Sequence, residues 1–453
     1  MTNLLVEQVL DLVGGRAEAD VHVEDATLSL TRFANSFIHQ NVSDQAVTIR
    51  LRLHLDGRTA GGTTTVTDRA ALAEFVERTI SAARLCPPDP TWPGLTAPAK
   101  PTGTGNYDRA TAEADPASRA AAVRAFVDAA GGLSTAGYCR TTASTVTYGN
   151  TAGHMLSGVT SSAAMDGIAR ATGSDGVARW SGVSLDGLDG ARLGAVAAAK
   201  ARAGVDGVEL PPGRYEVVLE RGAVQDLLLF LAAYAFNGKA VAEGRSCLRP
   251  GEAQFDQGLT LLEDPIGPRS LGMPFDLEGT PRDTRWLIRE GVSQGPLHDR
   301  RTAATAGEES TGSAVTDGER WGPRPTHLSL ATGTAPRTHS DGPVSDDSVG
   351  GLISGVNRGL LVTDFWYTRV LDPRSLVVTG LTRNGVWLIE DGVITRPVQN
   401  LRFTQSYPEA LAPGAVLGIG SVAESTPVSW SLETVTAPGL RLGSWNFTGG
   451  ASG

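Results

Sequence analysis

The stretch Arg221–Gly238, RGAVQDLLLFLAAYAFNG, decides how this sequence is read. It follows YEVVLE (215–220), which alternates like a strand, and it closes on Asn-Gly, so it reads as a helix of about three to five turns. From Leu227 to Phe236 it carries no charged side chain. Placed at the middle of a chain with a net charge of −10, such a helix is either a functional site or part of a core.

Composition sets the outer limits. At 453 residues the chain is too long for one ordinary core, and two or three domains are expected. A hydrophobic content of 41% with 19% charged residues is globular chemistry. The acidic balance, with a pI near 5.3, argues against a nucleic-acid partner, which would want a basic stripe, and against an anionic membrane surface. The opening MTNLLVEQVLDLVGG carries Glu7 and Asp11 and no basic cluster, so it reads as an amphipathic helix and not as a signal peptide. The apolar run of Leu227–Phe236 falls short of the roughly 20 residues a membrane helix needs. Cys86, Cys139 and Cys247 lie far apart without a CxxC pair, which signals neither disulfides nor a cysteine zinc site. The expected setting is a reduced cytoplasm.

Organisation is clearer than chemistry. After the first helix, residues 19–66 alternate polar and apolar, with turn signals at Ala34-Asn35, Ser43-Asp44 and Asp56-Gly57, as in an antiparallel meander. A helix follows over 68–84, where Leu72, Phe75, Val76 and Ile80 share one face. Residues 87–105, rich in Pro and Gly, read as a surface connector, and a second helix is predicted over 116–130. Strands then occupy 138–170 and an Ala-rich helix 191–203. Beyond the turn-rich GVDGVELPPG (204–213) come the apolar helix, long Gly/Pro/Asp loops and three strand regions at 358–372, 375–391 and 392–406, the last two joined by Asp391-Gly392 as a hairpin. The expected protein is α+β: an N-terminal α/β sandwich-like domain over 1–205, then a mostly antiparallel, barrel-like β domain over 206–453.

Five segments in register resemble the TldD/PmbA family: RFANSFIHQN (32–41), YGNTAGH (148–154), the LEDPIGPRSLGMPFDLEGTPRDTRWLIREGV block (262–292), EESTGSA (308–314) and TGLTRNGVWLIEDGVI (379–394). The resemblance covers nearly the whole chain. It implies an N-terminal α+β domain and a C-terminal mostly-β domain. It also implies one of two chain types: zinc-bearing TldD-type subunits that cut peptides, or TldE (PmbA)-like subunits that lack the metal and pair with them. TldD-type chains carry His-Glu-x-x-x-His on the helix after the VVLE strand, where two imidazoles and a carboxylate can bind zinc and activate water. Aligned from that strand, the three positions here are Leu229, Phe230 and Tyr234. The resemblance therefore implies a subunit with no catalytic residue and no metal site of its own, and with zinc in a TldD-like partner. Its role would be to close the chamber of a heterodimeric metallopeptidase around a peptide or peptide-derived natural product. A homodimer when alone, and a self-sufficient divergent enzyme or small-molecule- or peptide-binding protein of a specialised biosynthetic pathway, stand as alternatives. The LDPRSLVVTGLTRNGV segment (371–386) stands where many members carry a TGDFS-like one, which points to a divergent branch.

Other candidates are fewer. The histidines His22, His39, His54, His154, His298, His327 and His339 show no metal-ligand spacing. His298 in GPLHDRRTAA falls where the resemblance places substrate-facing chain. Thr311 in EESTGSA reads either as a substrate or partner contact or as part of a turn the fold requires. Glu278 is the one residue of the DLEGTP turn suited to a site. Cys247 reads as a small buried residue, and no G-x-S-x-G elbow occurs.

Overall fold

A computed structural model describes residues 1–335, 349–428 and 434–451; His339 lies outside the described residues. The first half contains α1 (Thr2–Val13), β1 (Glu18–Ala34), β2 (Phe37–Leu55), β3 (Arg58–Thr64), α2 (Arg69–Leu85), α3 (Arg109–Ala112), α4 (Pro116–Ala129), β4 (Ser134–Asn150), β5 (Met155–Ala171), β6 (Ser174–Gly182) and α5 (Gly190–Ala203). Its six strands form one antiparallel sheet in the order β3-β2-β1-β4-β5-β6.

Period-two alternation decides what each face of this sheet does. Ala19, Val21 and Val23 of β1 and Ile49, Leu51 and Leu53 of β2 pack under Leu5, Val6 and Val9 of α1 and Leu72, Phe75, Val76 and Ile80 of α2. Farther along, Phe33, Cys139 and Met165 pack under Val123 and Phe126 of α4 and Leu193 and Ala197 of α5. The intervening positions, among them Asp20, His22, Arg50 and Arg52, belong to the opposite face, which meets the second half of the chain. The helix expected over 68–84 starts as its sequence suggests, with Asp68 capping the amide of Ala71 at 2.9 Å.

The second half contains β7 (Gly213–Leu219), α6 (Arg221–Ala235), α7 (Gly238–Ala242), β8 (Leu261–Glu263), β9 (Arg285–Arg289), β10 (Val292–Ser293), α8 (Arg300–Ala306), α9 (Gly318–Trp321), β11 (His327–Leu330), α10 (Gly350–Ile353), β12 (Arg358–Asp372), β13 (Val377–Glu390), β14 (Val393–Pro397), β15 (Leu401–Ser406), α11 (Tyr407–Ala410), β16 (Val416–Ile419), β17 (Glu424–Pro427), β18 (Thr434–Ala437) and β19 (Leu440–Gly450). Strands β12, β7, β19, β15 and β13 pair in that order, and β13 pairs back to β12, closing a five-stranded barrel. A second sheet runs β10-β9-β8-β11-β18-β17. Helix α6 shares one continuous core with both, joining Val362, Leu388 and Trp445 of the barrel to Leu287, Leu328 and Val435 of the sheet. The chain is thus α+β with a barrel in its second half. Among the described residues, no helix is long and apolar enough to cross a membrane.

Two local expectations need correction. Ser43-Asp44 makes no turn: β2 runs unbroken from Phe37 to Leu55, paired to β1 throughout. Residues 40–46 are exposed, so their polarity reflects a solvated strand. The strand region 392–406 is two strands on one edge of β13, because the chain leaves the ladder after Pro397, opposite Trp387, and rejoins that same edge at Arg402, opposite Leu381, while β12 holds the other edge. The connector 87–105 is irregular and lies mostly at the surface, as expected, and it is pinned at one point: buried Thr96 donates to the carbonyl of Glu278 at 2.6 Å and accepts at its own carbonyl from Asn150 at 2.8 Å. The Asp391-Gly392 hairpin is as read, with φ of 49° and 77° in the left-handed region that a two-residue turn of this hand requires.

Candidate functional site

Among the clefts where the first sheet meets the second half, two hold the residues of interest. The larger, about 830 Å³, is walled by Asp20, His22, Arg50 and Arg52 on one side and by the chain around Glu278, Asp299 and Asp317 on the other. Burial, aided by the neighbouring charge of Arg50, pushes His22 down to about 4, so this imidazole is neutral at physiological pH. Arg52 bridges Asp20 at 2.7 Å and Glu278 at 2.6 Å. The other carboxylate oxygen of Glu278 accepts the amide of Arg300 at 2.8 Å. Both oxygens being taken, Glu278 braces the two halves together.

His298 and Thr311 are brought together, behind the wall of that cleft. The Thr311 hydroxyl accepts from the amide of His298 at 2.7 Å and donates to its carbonyl at 2.9 Å. The buried imidazole meets the Thr302 hydroxyl at 3.2 Å through Nδ1, and burial lowers its basicity. Its Nε2 has no hydrogen-bond partner and lies 3.7 Å from a carboxylate oxygen of the exposed Glu308. Gly312 sits at φ 70°, and a side chain there would press on the carbonyl of Pro281, so this turn needs glycine. Cys247 is half-buried, and desolvation pushes its thiol up to about 11, leaving little thiolate at neutral pH.

The smaller cleft, about 420 Å³, runs along α6 and is closed from the first half by Tyr138, Asp166 and Arg179. The fully apolar run of α6 does not lie wholly in the core. Leu227, Leu228, Leu231 and Ala232 are buried, whereas Leu229, Phe230 and Tyr234 are half-buried on the flank of the core, with the Phe230 and Tyr234 rings stacked at 6.1 Å and 4°. Leu229 forms part of the cleft wall. One turn earlier stands a residue that reading for motifs passed over. Asp226 is buried, and its Oδ2 accepts from the Thr368 hydroxyl at 2.9 Å and the Tyr407 hydroxyl at 3.4 Å. Burial pushes its carboxyl up to about 7 in spite of those hydrogen bonds.

Charged groups span the joint above this cleft. Arg179 of β6 donates to both oxygens of Asp364 on β12 at 2.8 and 2.9 Å and to Asp166 at 3.0 Å. Asn384 donates to Asp364 at 2.7 Å. Gly222, in the first turn of α6, lets Asp364 approach that closely, since a Cβ there would collide with its carboxylate. A further buried pair joins Lys200 of α5 to Glu220, the residue before α6.

The sequence matches the model of the PmbA/TldA metallopeptidase C-terminal domain over residues 212–449, more than half of the chain. The chain belongs to the PmbA/TldD family. Among curated proteins it is similar to a metalloprotease of Synechocystis sp., 26% identical over 140 residues, 30% of this chain and 27% of that protein. The matched stretches span about a quarter of the length of the curated relatives. Among solved structures it resembles TldE from Thermococcus kodakarensis, with a TM-score of 0.82, 19% identity and 99% of each chain covered. It also resembles a protein of Thermotoga maritima named for modulation of a DNA gyrase, with a TM-score of 0.80, 17% identity, and 99% of this chain and 100% of that one covered. At these identities the two structures establish the fold.

The family's chemistry raises the question of zinc. Leu229 and Phe230 offer no donor atom, and Tyr234 lies against Phe230 and the core instead of opposite a second ligand. Among the described residues no group of three or more His, Cys, Asp or Glu side chains could hold a metal. The residues at the three aligned positions do not fit the ion.

Proposed function

We propose that this chain is a TldE-like subunit of a heterodimeric TldD/TldE-type metallopeptidase. It completes the substrate chamber and holds an extended peptide, or a peptide-derived natural product, while a zinc-bearing partner performs the hydrolysis. The observation that carries this reading is the apolar and aromatic occupancy of Leu229, Phe230 and Tyr234, the two rings stacked, in a chain that keeps the family's fold. The family's scaffold is retained around a helix that lacks ligands. The reading takes residues 1–205 and 206–453 as the two domains, with clefts between them for the substrate, and places the protein in the cytoplasm. Orientation of the scissile bond supplies much of a hydrolase's rate, so a metal subunit lacking its closing partner should work poorly.

The test assays peptide cleavage by each subunit alone and by their mixture, with and without a chelator. Cleavage by the mixture only, abolished by the chelator, is expected. Cleavage by this chain alone that survives the chelator would establish the other reading, a self-sufficient enzyme using the clefts within one chain. A metal subunit fully active by itself would remove the chamber-closing role.

A further inference from the structure

The cleft along α6 has a polar arrangement that closing a chamber does not require. Its walls are mainly apolar, including Ile168, Val177, Leu229 and Phe365. At its mouth stands Trp366, 44% exposed, with the guanidinium of Arg383 stacked on the indole at 4.4 Å. Arg383 makes no ion pair among the described residues, whereas Arg179 deeper in is held between Asp166 and Asp364. Within the cleft lies Asp226, only 9% exposed, whose Oδ1 accepts a hydrogen bond from no described residue while Oδ2 is doubly bonded. An unpartnered oxygen on a nine-tenths buried aspartate, in the wall of a cavity, is open to a donor from a ligand. The cleft therefore brings a vacant acceptor, a cation without an ion pair and a mainly apolar lining to one cavity.

We propose that this cleft binds a short peptide with free ends, of about dipeptide size, its ammonium group at Asp226 and its carboxylate at Arg383. The sign of the field agrees. Three acids, Asp166, Asp226 and Asp364, line the cleft against two cations, Arg179 and Arg383, and Arg179 is already paired to Asp166 and Asp364, which leaves Asp226 for an ammonium. Arg383, planar and braced on Trp366, presents the fork that a carboxylate accepts in two parallel hydrogen bonds. A volume near 420 Å³ lies at the small end of ligand pockets, too small for a long extended chain. The inference goes beyond the heterodimer reading, because the site is complete in this chain and needs no zinc-bearing partner.

The site also couples binding to a proton. The titratable and charged groups around Asp226 are Asp364 of β12 and Tyr407 of α11, and across the cleft Tyr138, Asp166, Arg179 and Arg383. Near neutrality the Asp226 carboxyl is close to half protonated, and an arriving ammonium stabilises the ionised form and expels the proton.

The experiment is calorimetric titration of the chain alone with leucyl-alanine, its N-acetyl derivative and its C-terminal amide. The free dipeptide is expected to bind. Acetylation or amidation should each weaken binding by about tenfold or more, the worth of one charge-assisted hydrogen bond. In Asp226→Asn the acetylation penalty should vanish while the amidation penalty stays; Arg383→Gln should show the reverse. Titrations at pH 7 in two buffers of different ionisation enthalpy should report proton release for the unaltered chain and none for Asp226→Asn. Arg383 is half-buried and makes no ion pair among the described residues, so its substitution leaves a folded protein even if Asp226→Asn does not. Absence of binding by the free dipeptide, or equal binding of all three probes, overturns the proposal, and neither result bears on whether the chain activates a metal subunit.

Discussion

Asp226 shows how one side chain's chemistry is set by residues far away in sequence. Its carboxyl titrates near 7 because β12 and α11 cover it, whereas in the unfolded chain it returns to about 3.8. Between those values the folded state keeps a proton that the unfolded state has lost. Stability therefore falls as pH rises through that window, and the whole cost is present above about 7. The shift corresponds to at most about 4 kcal/mol. Asp226→Asn keeps an oxygen for Thr368 and removes the ionisable group. It should be more stable than the unaltered protein at pH 8, by on the order of 2 kcal/mol, and the gap should close toward pH 4. Denaturant unfolding of both proteins across pH 4–8 reads this directly, and other buried acids cancel in the difference. A gap independent of pH would show that Asp226 does not titrate in this range. None of this was legible in RGAVQDLLLF, where Asp226 is one acid before an apolar run. The identities at Leu229, Phe230 and Tyr234 were legible, because the lack of an imidazole or carboxylate is a property of the residue type.

At the scale of the element, α6 is where sequence and structure agree most usefully and then part. Its composition calls for burial, and Leu227, Leu228 and Leu231 are buried in the core shared by barrel and sheet. Ten uncharged residues in a row nevertheless conceal a half-buried flank at Leu229, Phe230 and Tyr234, which composition alone could not separate from the core. The two flanks respond differently. Leu231→Asp places a carboxylate where no partner exists, at a cost of several kcal/mol, and should yield insoluble or non-cooperatively unfolding protein. Leu231→Ala, as a milder probe, should lose about 2–5 kcal/mol. Soluble, cooperatively folding Leu231→Asp, judged by circular dichroism and a denaturant transition, would place that side of α6 against solvent. The helices at 68–84, 116–130 and 191–203 were legible because amphipathic faces and caps are local signals. The Ser43-Asp44 turn was misread because turn-like residues also suit a strand with solvent on both faces, as β2 has over 40–46.

For the whole molecule, barrel closure was legible only as a tendency. It requires β7 to pair with both β12 and β19, and no local pattern records partners so distant in the chain. The braces between halves were equally hidden, since Arg52 and Glu278 meet only after both halves have folded. Glu278→Ala removes an acceptor from Arg52 and from the amide of Arg300, in a site less than a quarter exposed. It should lower stability by about 3 kcal/mol, read as a shifted denaturant midpoint at unchanged slope. An unshifted midpoint would mean that the halves are held mainly by apolar contact.

The same distinction between scaffold and chemistry governs the metal content of the molecule. A structural or catalytic zinc needs three or four donor side chains converging within about 2.0–2.3 Å of one point. At the positions that the resemblance aligns with the family's metal motif this chain has two hydrocarbon side chains and a phenol turned onto Phe230. The histidines whose basicity is lowered, His22, His298 and His327, owe it first to burial at separate places in the fold. A buried neutral imidazole is a metal ligand only when others converge with it. Tag-free protein, purified without chelator and dialysed against metal-free buffer, should therefore carry far less than one zinc per chain by elemental analysis. Added zinc should leave its thermal midpoint unchanged, because a ligand stabilises a fold only through a site in the folded state. One tightly held zinc per chain, lost together with a drop in the midpoint on chelation, would require ligands that the described residues do not bring together, and would return this chain to the catalytic side of its family.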